Sequence, residues 1–492
     1  MVRQDAGHGV LVAPAVTLGG CNLDLTNPNQ PTVASTLTNP RASISRMVVG
    51  VVGNYRDNRA LQIRALGSFG RETYYMFITD GRFITGPYRD WRQNNSFEAG
   101  TQWGARYQNY RNAYAAMQLI NSSPTSVSPT TLTAPEKAGA LGVLKTFIAL
   151  DMLHVIEARG AIGAVVDMTD DVNAVHPIVS EDSVYKWITA VLDDAKGNLD
   201  TNTAGTSFYF PMHTGFSAFG VAANKPAGFG QFNRAIKARV EAKRGSLGCG
   251  APCYTAALTA LGATWIANLD STNRDNGVYV IYSTAAGDIL NGASFAADKN
   301  YYVHPSIDSI AGVALDDRYR RKVALGTSAC PTNYTTPQTE VSVTATHRAC
   351  TYATNVTPTP IIRNEELVLL RAEAEWFTGA TAAALTDLAA VRAGSGASRG
   401  GTAVVKFATP AVDSEFVAEV LLQRTLSLYQ EAHRFPDYRR FGKLAALGTL
   451  AQDVAQGFTV APYSVLPSQE CDSRSRAGNP GGIPRSCPGG PP

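Results

Sequence analysis

Along most of this chain apolar residues return every three or four positions, and strict alternation is confined to short runs, so the pattern predicts a mainly α-helical protein. Residues 41–68 carry Ile44, Val48, Val51 and Tyr55, then Leu61, Ile63 and Leu66, as one long helical stretch in which Gly50 and Gly53 would admit a close neighbour. Residues 101–120 line Trp103, Tyr107, Tyr110 and Tyr114 along one face, where they are expected to pack helix on helix. A third helix is expected over 134–159, with Pro135 in its first turn and Gly160 and Gly163 beyond its end. Ser180 is placed to cap a fourth over 181–199, where Glu181 and Asp182 meet the positive end of the helix dipole.

Farther on, 232–243 and 254–269 predict a helix pair, and 363–378 with 382–392 predict another. Antiparallel pairs of this size are how tetratricopeptide-like units bury their apolar faces, and without a clean repeat of about 34 residues these units are degenerate. Residues 202–230 and 276–359 lack helical periodicity and read as long irregular excursions with a few short strands, the places where recognition usually resides. The loop aromatics Phe208-Tyr209-Phe210 and Tyr301-Tyr302-Val303-His304 fall there.

Composition narrows the function. The chain has 492 residues, 45% of them hydrophobic and 17% charged, enough to bury a large core. A net charge of +3 without clustered Lys and Arg argues against a nucleic-acid partner. No apolar run approaches the roughly 18 to 20 residues a membrane span requires. Leu18-Gly19-Gly20-Cys21, at the end of a short apolar run and before an Asn/Pro/Thr-rich stretch, has the form at which bacterial signal peptides are cleaved and Cys21 is acylated. Of seven cysteines, the six others fall as sequence-local pairs: Cys249 with Cys253, Cys330 with Cys350, and Cys471 with Cys487. Disulfides in an oxidising compartment suit that arrangement, although six cysteines permit 15 connectivities. No metal-ligand spacing or cofactor motif is present.

Candidate chemistry is sparse. Gly396-Ala397-Ser398-Arg399-Gly400 matches a nucleophile pattern, yet it follows a helix rather than a strand and reads as a flexible loop. Asp151, His154 and Glu157 lie three apart on a helix without further ligands, which favours hydrogen-bonded packing. Asp316-Asp317-Arg318 marks a turn and lacks the spaced oxygens of a calcium loop. The segment 79–95 is different: an irregular stretch turning at Gly86-Pro87, it sets Tyr88 and Trp91 beside Arg89, Asp90, Gln93, Asn94 and Asn95. Aromatic faces stack on sugar rings while amides and charges bond the hydroxyls, a mixture that suits glycans and equally peptides.

Four blocks together resemble the SusD/RagB family. They are the lipobox; EKAGALGVLKTFIALDMLHVIEARGAIGAVV (136–166); the pair SEDSVYKWITAVLDDAKGNL (180–199) and QFNRAIKARVEAKRGS (231–246); and IIRNEELVLLRAEAEW, LTDLAAVRAG, LLQRTLSLYQEAHRFPDYRRFG and SVLPSQE between 361 and 470. The usual Val-Pro after the Gly turn is Ala164-Val165 here, and Gln423 and Ser427 stand where the family has Glu. Glu431, Arg434, Asp437 and Arg440 recur every three residues as a charged ribbon able to pair internally or with Glu373 and Glu375. The resemblance implies a SusD-like frame of degenerate tetratricopeptide-type helix pairs in a cell-surface lipoprotein of the outer membrane. Such a protein, without cofactor or catalysis, binds an oligosaccharide or, in RagB-like members, an oligopeptide, and partners a TonB-dependent SusC-like transporter. A ligand face using Tyr88, Arg89, Trp91, Asn94 and Asn95 follows from it. So does the expected division into a signal peptide (1–20), lipidated Cys21 with a tether (21–40), and one helical domain (41–492), itself made of a helical half (41–270), a loop-rich insertion (271–360) and a C-terminal region (361–492).

Overall fold

The computed structural model describes residues 38–92, 102–171, 173–202, 207–325 and 335–491. Cys21 and the tether up to Leu37, Asn94 and Asn95, and Cys330 lie outside the described residues.

Helices dominate, in chain order α1 (Pro40–Asn54), α2 (Arg59–Phe69), α3 (Arg82–Tyr88), α4 (Gly104–Ser122), α5 (Ala134–Arg159), α6 (Glu181–Thr201), α7 (Pro226–Arg244) and α8 (Ala251–Leu261). After an excursion holding the short α9 (Asp317–Lys322) come α10 (Asn364–Phe377), α11 (Thr381–Val391), α12 (Asp413–Ser427), α13 (Arg434–Arg440) and α14 (Ser468–Arg476). Each long helix packs on the next, α1 on α4, then α5, α6, α7, α8, α10 and α11, so the frame is a continuous arc of antiparallel pairs.

Local chemistry explains the boundaries. Thr133 and Glu136 form a reciprocal capping box at the start of α5, worth about 1 kcal/mol. Gly160, at φ +52°, ends that helix. On length and hydropathy α5 is apolar enough to cross a membrane, but it is buried inside the protein as the central core helix. Ser180 caps α6 as expected, its hydroxyl accepting from the Ser183 amide at 3.3 Å.

The stretch 41–68 is two helices rather than one, because the chain turns at Tyr55–Asn58 and Asn58 takes a left-handed conformation at φ 61°. Gly50 and Gly53 face open space instead of a close neighbour. The helix expected over 254–269 stops at Leu261, before Gly262.

Among the described residues there are three two-stranded antiparallel sheets: β1 (Thr73–Tyr75) with β3 (Tyr301–Val303), which ties the excursion to the frame, β2 (Gly277–Val280) with β6 (Thr359–Arg363), which closes its base, and the local hairpin β4 (Gln338–Glu340) with β5 (Val343–Ala345). Tyr301 and Tyr302 are therefore buried strand residues, and Phe208 and Phe210 stack on one another in the core, so these loop aromatics stabilise rather than recognise.

A buried charge lattice pins the C-terminal helices. Glu373 on α10 takes both arms of Arg440, one at 2.7 Å. Arg440 Nε and Arg424 Nε both donate to Asp437, at 2.9 and 2.7 Å. Arg239 and Glu366 form a further two-armed pair, and Arg363 reaches Glu431 at 2.8 Å. The ribbon is thus an interior lattice, not one helix face: Glu431 precedes α13, Arg434 donates to the Arg71 carbonyl, and Glu375 stands apart with Arg371. Gln423 and Ser427 serve Arg318 instead of this lattice, accepting from its Nη1 at 2.6 and 3.2 Å. Neutral acceptors suffice there because Asp316 already neutralises Arg318 through paired bonds.

Cys249–Cys253 and Cys471–Cys487 are disulfide-bonded with Cα atoms 5.8 and 5.5 Å apart. Cys350 is also in a disulfide.

Candidate functional site

The aromatic segment singled out in the sequence divides between core and surface. Residues 82–88 form α3, with Pro87 inside it, rather than an irregular turn. Tyr88 is fully buried, which corrects its expected place on a ligand face: its hydroxyl donates to the Thr73 carbonyl at 2.9 Å and the Arg71 guanidinium covers its ring at 3.7 Å. Arg89 is exposed and paired with its neighbour Asp90. Trp91 is 6% exposed; its indole N–H donates to Thr459 Oγ1 at 3.0 Å, and its ring packs edge-on against Tyr463 at 5.7 Å.

Trp91 and Tyr463 border a cleft of about 1060 Å³, lined also by Arg92, Glu181, Arg439 and Arg485. Distant parts of the chain meet there, among them the residues just after α3, the start of α6, α13 and the C-terminal segment. Arg439 reaches back to α5, donating to the Ile156 carbonyl at 3.2 Å with the same nitrogen that lies 3.6 Å from Glu181. Gly160 makes room for it, since a Cβ there would come within 2.8 Å of the guanidinium carbon. Burial raises the Glu181 carboxyl above its ordinary pKa, against the pull of the Arg439 charge. Arg92 lies over the Trp91 ring at 5.0 Å.

One wall is a strap. The Cys471–Cys487 bridge ties it to α14, the Leu466 amide donates to Ser486 Oγ at 3.0 Å, and Arg485, Pro488 and Pro491 face the cleft. Sequence reasoning found Trp91 but missed Tyr463, Arg439 and Arg485. Pro462-Tyr463 just before the SVLPSQE block was the available signal.

The other candidates are structural. Ser398 is buried, not in a flexible loop, and is held between Asp317 Oδ2 at 2.5 Å and Arg274 at 2.9 Å. Asp151 is ion-paired with Arg106 at 3.1 Å and takes the Asn109 amide at 2.7 Å, while burial lifts its carboxyl to about 6. His154 bridges the Tyr55 hydroxyl and the Gln62 amide, with its pKa pushed by burial down to about 3. Asp316 caps α9, accepting from the Arg318 amide. Among the described residues no cluster of metal-ligating side chains occurs.

A second aromatic surface flanks β1. Phe77, 38% exposed, stacks with Tyr75 and meets Phe83 edge-on beside the 72%-exposed Ile78, and Arg64 lies over the Tyr75 ring at 4.8 Å.

Residues 292–470 match the SusD family model. No curated protein matches the chain in sequence. Among solved structures, a SusD superfamily protein from Bacteroides vulgatus superposes with a TM-score of 0.61 at 12% identity, over 87% of this chain and 97% of that one. A SusD/RagB family protein from Bacteroides thetaiotaomicron gives 0.60 at 14%, over 89% and 96%. A laminarin-binding SusD-like protein gives 0.57 at 15%, over 88% and 97%. Residues 292–470 are thus similar in sequence to the SusD family, and the chain shares its fold with SusD-like proteins over almost their full length.

Proposed function

We propose that this protein captures an extracellular oligosaccharide and passes it to a TonB-dependent outer-membrane transporter, binding the sugar without altering it. Cys21 carries the lipid that holds it at the outer-membrane surface, residues 22–40 act as the tether, and the helical arc docks as a lid.

The observation that carries this reading is the cleft at Trp91 and Tyr463, which combines an aromatic border with charged side chains at a size suited to a few sugar units. Glu181 is the single carboxylate among the described residues that line it, whereas glycoside hydrolysis ordinarily needs a pair, which favours capture over cleavage. The laminarin-binding relative in fold lends weight to a glycan. A modest single-site affinity follows from few contacts, with closure of the lid supplying retention.

Isothermal titration of the folded protein against oligosaccharide and oligopeptide panels tests the reading. Binding of an oligosaccharide that weakens in Tyr463→Ala is the expected result; binding only of oligopeptides would transfer the site to a RagB-like role. Co-purification with an outer-membrane barrel tests the partner.

A further inference from the structure

Resting on the cleft as the ligand site, we infer that its sugar is acidic: an oligosaccharide bearing carboxylates, gripped by the guanidinium groups of Arg92, Arg439 and Arg485 beside the Trp91–Tyr463 border. The donor and acceptor inventory carries the argument. A neutral sugar presents hydroxyls that both donate and accept, so sites for it mix carboxylates and amides with donors. Among the described residues this cleft sets three arginines, which only donate, against one carboxylate, with the hydroxyls of Tyr463 and Ser486 as its remaining polar side chains. Glu181 is already engaged with Arg439 at 3.6 Å. Arg92 and Arg485 are exposed and have no carboxylate partner among the described residues, although the adjacent Arg89 is paired with Asp90.

The third arginine is held in place. Arg439 is anchored by the Ile156 carbonyl and the Phe435 ring, and its Nη1 is covered on the Gly160 side while the side chain lines the cleft. Its charge therefore stays fixed beside the cleft, where it attracts a ligand carboxylate without further side-chain ordering, and Arg92 and Arg485 supply the direct contacts. A carboxylate, with two oxygens open to paired bonds from a guanidinium, matches this set better than any hydroxyl.

The test compares tetragalacturonate and a hyaluronan tetrasaccharide with their methyl esters, which keep the skeleton and remove the charge, by titration of the intact protein at low salt. The acids should bind at least about tenfold more tightly than the esters, and added salt should erode that margin. Arg439→Gln risks the fold, so the exposed Arg92→Gln and Arg485→Gln carry the test. Each should cost the acids about fivefold and leave the esters within about twofold. Equal binding of acids and esters would overturn the acidic ligand while leaving the cleft as a sugar site. Acid binding that neither arginine variant weakens would overturn the assigned grip. An acidic tetrapeptide binding as tightly as the sugars would overturn the carbohydrate class. No carbohydrate binding at all, acidic or neutral, would overturn the cleft reading and this inference with it.

Discussion

Removing the bridge that fastens the strap, with Cys471→Ser and Cys487→Ser together, separates the stability of the fold from the integrity of the cleft. The bridged cysteines are 16 residues apart in sequence. Chain-entropy arithmetic for a loop of that length gives about 3 kcal/mol of stabilisation lost from the folded state. An unfolding entropy of roughly 2.1 cal/mol/K per residue, over a chain of this size, comes to about 1 kcal/mol/K, so a single cooperative melt should shift down by about 3 °C. The effect on binding should be out of proportion to that small shift. With the bridge gone, the Ser486 and backbone contacts alone hold Arg485, Pro488 and Pro491 against the cleft, so affinity for the captured sugar should fall by about five- to tenfold. Scanning calorimetry and titration calorimetry on the same preparation read both numbers. A lower melting temperature with unchanged affinity would show that the strap is no wall of the site; an unchanged melting temperature would show that its other tethers already hold it.

Asp437→Asn should cost about 3–5 kcal/mol in urea unfolding, because Arg424 and Arg440 would lose their shared carboxylate in the interior. Glu72 is fully buried, and burial raises its carboxyl to about 8 from an ordinary 4.5. The native state thus prefers this group protonated: its contribution is fully present below pH 4.5 and is lost as pH rises toward 8. Glu72→Gln should therefore raise the melting temperature at pH 8, by a stability gain on the order of a few kcal/mol, and give no gain near pH 4. A uniform effect across that range would contradict the assignment. Tyr463→Ala should weaken sugar binding by about 1 kcal/mol in titration calorimetry with little loss of stability, since the ring is only half buried.

Much of the frame was legible because its signals are local. The ends of α5 follow from Thr133, Pro135, Glu136 and Gly160, and the start of α6 from Ser180, all within a turn of the boundary they set. The break after α1 was not legible, since apolar spacing runs through it and only the left-handed Asn58 marks the turn. The site was legible in part. Trp91 announces itself as an aromatic in a polar segment, but whether Tyr88 faces solvent depends on Phe458 as well as on the nearer Arg71, and no spacing rule reports a contact with a residue hundreds of positions away. Arg439 lies beside the charged ribbon of Arg434, Asp437 and Arg440 without sharing its spacing, and nothing local gives it a role. What places it in the cleft is the missing side chain of Gly160, on a different helix end far away in sequence.

Crystallography of the protein soaked with the tightest-binding oligosaccharide tests the central claim most directly. The account predicts sugar density along Trp91 and Tyr463, beside Arg439 and in contact with the strap. Density instead against Phe77 and Ile78, with the cleft empty, would contradict it.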